Sequence, residues 1–137
     1  MSPRLILDAE AVSALGEPGT DGFDRVRAAL TAADRLGRDA VVASVTLAEL
    51  YRGRNRSQVV DALLSRESGL ALRDTDRSFA RLVGGVLAAA GAGSELLADA
   101  HAVAAAVETG GGLVLTSDVA DLERLATPYA NIHISKV

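Results

Sequence analysis

Short apolar runs punctuate this chain, and their spacing predicts its elements. Arg4–Leu7, Ala40–Ala43 and Leu113–Thr116 are each a few residues long and bounded by polar or glycine positions, the pattern of strands buried on both faces, and Leu70–Leu72, between Gly69 and Asp74, reads as a further short strand. Ile132 and Ile134 alternate with His133 and Ser135, which predicts a final edge strand. Between these runs the spacing becomes helical. Ala9–Leu15 forms a short helix stopped by Gly16, Pro18 and Gly19; a longer one starts at Asp21, with Phe23, Val26, Leu30, Ala33 and Leu36 as its stripe and Gly37 as its end. Ser44 or Thr46 caps a helix that carries Leu47, Glu49 and Leu50 and ends at Gly53; Ser57–Leu64 is a further helical segment. Thr75 or Asp76 caps a helix to about Ala90, whose Phe79, Leu82, Val83, Val86 and Leu87 face a core or a dimer surface; close packing would account for its Gly84–Gly85 pair. After the Gly91–Gly93 loop, the stretch LLADAHAVAAAVETGGGLVLTSDVADLERL (Leu96–Leu125) reads as helix, glycine turn, buried strand and helix, broken by Pro128.

Strands alternating with helices specify an α/β domain with a short, mainly parallel central sheet, a single domain over residues 1–137. In such sheets ligands gather beyond the carboxyl ends of the strands. Asp8 and Asp118 stand at two of those exits, and Glu49 and Asp99 lie early in helices that border the same rim. Acids against an otherwise apolar background call for a partner. Each has an ordinary reading too: Asp8 and Asp118 as helix caps, Asp99 as a first-turn acid facing the helix dipole, Glu49 as a surface glutamate. Taken together they predict one site for a hard divalent cation, Mg²⁺ or Mn²⁺, which relieves carboxylate repulsion and prefers oxygen ligands. Such an ion polarises a phosphodiester oxygen and lowers the pKa of bound water, the chemistry of a metal-dependent nuclease.

Composition narrows the alternatives. Cysteine is absent and histidine is limited to His101 and His133, which removes disulfide scaffolds and thiolate zinc sites and fits a reducing cytoplasm. No run has the apolar length of a membrane span, and MSPRLILDAE does not read as a secretory signal. The net charge of −4 argues against a broadly basic nucleic-acid coat, but leaves room for a local rim: Arg52, Arg54 and Arg56 follow Glu49 and are candidate RNA-backbone contacts, or else a solvated helix end. Aromatics make up only 3%, so stacking platforms are scarce; Tyr51 is the sole one near the site, and packing is its simpler role. His101, about one turn from Asp99, could reach the pocket, but a surface or helix-packing histidine is the simpler reading. Lys136 is the single lysine, which excludes phosphatases and receiver domains that need one beside a phosphoaspartate, and there is no phosphate-binding glycine loop with its lysine.

In order, LILDAEAV, VTLAELYRG, ADAHAVAAAVETGG and LVLTSDVADLERL resemble the four acidic motifs of PIN-domain ribonucleases, with the VapC toxins of bacterial VapBC toxin–antitoxin pairs as the closest branch. The resemblance implies a PIN-like three-layer α/β/α fold and metal-binding, catalytic roles for Asp8, Glu49, Asp99 and Asp118. It also matches Thr116 to the hydroxyl residue two before the last acid and puts Asp121 at the periphery in a supporting place. It implies endoribonuclease activity on structured RNA such as tRNA or rRNA, a VapB-like antitoxin partner and a homodimer. The chain departs from the pattern at Ala9, where many members carry Ser or Thr; the hydrogen bond lost there is missing or comes from Glu10. A different class of function stays open: a PIN-like binding module that works through antitoxin and operator complexes with little catalysis.

Overall fold

The computed structural model describes residues 2–52 and 56–137. Five strands, β1 (Arg4–Leu7), β2 (Ala40–Ala43), β3 (Leu70–Arg73), β4 (Gly112–Thr116) and β5 (Ile132–Lys136), form one sheet in the order β3-β2-β1-β4-β5. Every pairing is parallel. The helices are α1 (Ala9–Ala14), α2 (Asp21–Arg35), α3 (Ser44–Leu50), α4 (Arg56–Arg66), α5 (Arg77–Ala90), α6 (Leu97–Val107) and α7 (Val119–Ala126), with a 3₁₀ turn at Ser94–Leu96.

Side-chain alternation along β1 divides the core into two layers. Ile6 joins Val41, Val114 and Ile132 under α5, α6 and α7, with Phe79, Val83, Val86, Val103 and Leu122. Leu5 and Leu7 point the other way and join Val42, Leu115, Val12, Val26 and Leu63 under α1 to α4. The expected three-layer α/β/α arrangement is therefore present, and the Phe79–Leu87 stripe is core rather than a dimer surface. Beyond Asp99 and His101 helix α6 is apolar, with Ala100 and Ala102–Ala106 buried. Small side chains let it lie close to the sheet. At the turn into β4 the backbone needs glycine: Gly111 has φ 147°, and a Cβ on Gly112 would stand 2.5 Å from the Arg4 carbonyl oxygen.

Several expectations change in detail. Neither Ser44 nor Thr46 caps α3; the cap position is Ala43 with no side-chain bond. Ser44 instead donates to Asp74, and the buried Thr46 hydroxyl has no hydrogen-bond partner among the described residues. Gly53, expected to end that helix, lies outside the described residues; the helix closes at Tyr51. Leu36 is the C-cap of α2 and is 62% exposed, so it leaves the stripe that Val26 and Ala33 bury. The Gly84–Gly85 pair is not a packing device. Both residues face solvent, and a Cβ on either would meet nothing within 4 Å. Gly84→Ala and Gly85→Ala each stabilise the protein by about 0.5–1 kcal/mol, because helical glycine costs entropy that no contact returns; thermal denaturation of the double variant reads the sum.

One half-buried ionic group has no counterpart in the sequence pattern. Glu108, at the end of α6, accepts two hydrogen bonds from Arg73 at 2.8 and 3.1 Å and another from Arg4. Burial alone would raise the Glu108 carboxyl, but the two guanidinium groups hold it below its ordinary range. Arg73 also lies over the Phe79 ring, 4.3 Å from its centre. Charges from β1, β3 and the C-cap of α6 are thus tied together.

Candidate metal centre

The chain runs from β1 outward through β2 to β3, then returns to the other side of β1 as β4. That reversal opens a crevice between the carboxyl ends of β1 and β4, the place where open parallel sheets bind ligands. Asp8 follows β1 directly, and Asp118 follows β4 by two residues. Asp99 enters from above, in the first turn of α6. Glu49 comes from α3, exposed, on the flank.

Asp8 is 4% exposed, a carboxylate inside the core boundary. One of its oxygens accepts from the Ala9 backbone N–H at 2.8 Å, so the cap reading holds for this residue. The other accepts from the Thr116 hydroxyl at 2.9 Å, and the same Thr116 oxygen accepts from the Asp118 backbone N–H at 2.9 Å. A fully buried threonine therefore links the exits of both central strands. Thr116 bonds Asp8 from across the sheet, and Glu10, the alternative to a missing bond at the Ala9 position, adds a side-chain hydrogen bond that lowers the Asp8 carboxyl. For Asp118 the cap reading fails: it occupies the N-cap position of α7, but its side chain makes no capping bond and is exposed.

Carboxylate oxygens of Asp99, Asp118 and Asp121 all lie within 4.8 Å of one another. Asp121, expected at the periphery, is thus one of the closest members of the group. Residues 118 and 121 are three apart at the start of a helix, which sets them on one face. Asp8 and Glu49 are outside that tight trio but act on it. Burial first, then the charges of Asp8, Asp118, Asp121 and Glu49, push the Asp99 carboxyl up to about 7. Asp8 is raised as well, by burial ahead of Glu49, even though Ala9 and Thr116 stabilise its anion. Glu10 is raised by partial burial and by Asp8 and Asp118, which puts it on the flank of the same group. Acids crowded enough to hold one another's protons fit a hard cation with oxygen ligands: the donor set is all carboxylate, and a double positive charge reverses the repulsion.

The remaining candidates divide. His101 is buried, donates from Nδ1 to the Leu97 carbonyl at 2.7 Å and meets Phe79 edge-on, so it packs α6 as expected. Tyr51 donates to Asp61 on α4, a packing role. Arg52 and Arg56 are exposed and line a groove beside Glu49; Arg54 lies outside the described residues. Arg25 of α2 lines that groove too, a residue distant in sequence from every acidic motif.

A family model described as PIN domain matches residues 5–128. Two solved structures share the fold. A VapBC2 complex from Rickettsia felis bound to a promoter DNA fragment aligns with TM-score 0.60 and 16% identity over 96% of this chain and 97% of that one. A DNA-bound VapBC from Salmonella typhimurium aligns with TM-score 0.64 and 18% identity over 98% of both chains. No curated protein sequence matches the chain.

Proposed function

We propose, from the premise that this chain belongs to the PIN-domain family, that it is a metal-dependent endoribonuclease and acts as the toxin of a toxin–antitoxin pair. The observation that carries the reading is the acidic group at the β1/β4 crevice, where Asp99, Asp118 and Asp121 stand within 4.8 Å of one another beside the buried Asp8. Asp8, Glu49, Asp99 and Asp118 are the catalytic metal-holding set, with Asp121 a further carboxylate beside them. Mg²⁺ or Mn²⁺ held by these carboxylates would supply Lewis acidity toward a phosphodiester oxygen and lower the pKa of a bound water, so that it is available as hydroxide.

The chain's own part is preorganisation. Ala9 N–H and Thr116 fix both oxygens of Asp8, so its orientation is set before any ligand arrives. Thr116 also holds the backbone at Asp118, coupling the positions of the two strand-exit acids. Asp99 reaches the crevice from the first turn of α6, and Asp118 from the loop that leads into α7.

Both of these structures are VapBC complexes on DNA, and on that ground we assign a VapB-like antitoxin as partner; structured RNA as substrate and a homodimer as the toxin's assembly follow from the resemblance of the four acidic motifs, and the cytoplasm as its place from the cysteine-free composition. Among the described residues no helix is long and apolar enough to cross a membrane.

Incubating the purified chain with structured RNA and Mg²⁺ or Mn²⁺ tests the reading. Cleavage is expected, is lost in EDTA, and is lost in Asp8→Asn with metal present. An intact chain that binds a VapB-like antitoxin but cuts no RNA with either metal would favour the binding-module alternative. Cleavage that survives Asp8→Asn would move the chemistry elsewhere.

A further inference from the structure

Among the described residues two buried side-chain atoms lack a hydrogen-bond partner, and one of them is the hydroxyl oxygen of Thr46. Thr46 is 1% exposed and lies in the first turn of α3. A helical threonine ordinarily donates to a carbonyl three or four residues back. Thr31 does so to Arg27 at 3.0 Å, and Thr127 to Glu123 at 2.8 Å. For Thr46 those carbonyls belong to Val42 and Ala43, which are strand residues of β2, so that outlet is closed. A buried hydroxyl left unpaired costs free energy that valine, of nearly the same shape, would spare.

The second observation is the residue one turn on. Glu49 follows Thr46 by three positions, which sets the two on one face of α3. Its side chain is exposed, and no salt bridge holds the carboxylate among the described residues. Its charge nonetheless bears on both Asp8 and Asp99. Helix α3 packs against α1, which begins beside Asp8, and against α6, which carries Asp99. Strands β2 and β4 flank β1 on its two sides. Thr116 closes the β4 side by donating to Asp8, and Thr46 stands beyond the exit of β2 on the other.

We infer that Thr46 is a positioning residue for Glu49: its hydroxyl donates to the Glu49 carboxylate once that carboxylate turns inward to a divalent cation. The inference rests on the metal-centre reading and extends it from which acids hold the ion to how Glu49 is held. Other acids suit the hydroxyl less well. Both oxygens of Asp8 are already bonded, to Ala9 N–H and to Thr116, and Asp99 is crowded by Asp118 and Asp121 within 4.8 Å. Carboxylates that ligate a metal are themselves oriented by hydrogen bonds, and a donor one helical turn away is suited to that task. Because the hydroxyl is unpaired in the metal-free fold and paired in the loaded one, its bond contributes to metal affinity and nothing to the stability of the metal-free protein.

Mn²⁺ titrations of the full chain, with the free ion read by electron paramagnetic resonance, test this together with thermal denaturation in EDTA. Thr46→Val is expected to weaken Mn²⁺ binding about tenfold, the low end for a group that orients a metal ligand, while its metal-free Tm equals or exceeds that of the wild type. Thr46→Ser, which returns the hydroxyl, restores the affinity. In a Glu49→Ala chain titrated to saturation, Thr46→Val adds no further loss, because its partner has gone. Unchanged affinity in Thr46→Val overturns the inference. So does a valine loss of the same size in the Glu49→Ala background, which would give the hydroxyl a different partner. Serine and valine variants that bind alike, or a valine variant with a lower metal-free Tm, would make Thr46 a packing residue and overturn it too. None of these readouts involves RNA, so a chain that binds Mn²⁺ with this dependence yet leaves RNA intact would count against the nuclease reading alone. A wild-type chain that binds no Mn²⁺ would end both.

Discussion

Asp99→Asn abolishes RNA cleavage and at the same time makes the metal-free protein more stable. The two effects have one cause. Asp99 sits half-buried among Asp8, Asp118, Asp121 and Glu49, and its carboxyl is pushed to about 7. An aspartate in the unfolded chain titrates near 3.8. The folded, metal-free protein therefore holds the proton more tightly than the unfolded one, and this contribution to stability is complete below about pH 4. It is lost as pH rises through about 7. Wild-type Tm in EDTA should fall across that window, while Asn, which never ionises, flattens the profile and gives the higher Tm at pH 8. Adding Mg²⁺ or Mn²⁺ at pH 8 raises the wild-type Tm, because the ion binds the folded state, and raises the variant far less. Activity should drop by more than about 100-fold, since even partners outside the ligand set cost about 10–100-fold in metal affinity or rate. A variant that loses activity through misfolding would show a lower Tm, the opposite sign. Thermal scans between pH 4 and 8, with and without metal, read all of this.

Thr116→Val is the second large effect. Valine keeps the shape of a fully buried side chain but removes the oxygen that donates to Asp8 and accepts from the Asp118 N–H. A buried carboxylate loses its donor and a backbone N–H loses its acceptor, which costs about 1–3 kcal/mol of stability. The Asp8 carboxyl rises further, and cleavage falls by about 10–100-fold as the Asp8 orientation loosens. Thr116→Ser, which restores the oxygen without the methyl group, recovers most of the rate. If valine and serine variants have the same rate, Thr116 fills space and does not position the acids. Higher Mn²⁺ should recover part of the valine variant's activity, a rescue that a packing defect would not allow.

How much of this was legible in the sequence depends on how local each signal is. The strands at Arg4–Leu7 and Ala40–Ala43 have the bounds expected from their apolar runs, because a parallel strand buried on both faces has no polar alternation to blur its ends. Asp76 was readable as a cap, and its side chain does accept from Phe79 N–H. The positions of Asp8 and Asp118 followed from one rule, that an acid at a strand exit in a parallel sheet stands on the ligand rim. Asp121 was underrated although its signal was local: three residues after Asp118, it shares a helical face with that residue. The Arg4–Glu108–Arg73 group joins residues 4, 73 and 108, whose meeting depends on tertiary packing alone. Arg25 is missed for the same reason, since nothing in the α2 pattern says that its start borders the groove below α3. The glycine pair in α5 misled in the other direction, because helical glycines suggest close approach and here face open solvent.

We propose that side chains at the exits of β1 and β4 and on α6 and α7 meet to hold a divalent cation. Crystals of the full chain equilibrated with Mn²⁺ near pH 8, with data collected for the manganese anomalous signal, test it most directly. A peak coordinated by Asp99 together with Asp118, Asp121 or Asp8, and missing in Asp99→Asn, is the predicted result. Ordered manganese elsewhere on the surface, with these carboxylates free of metal at saturation, would contradict it.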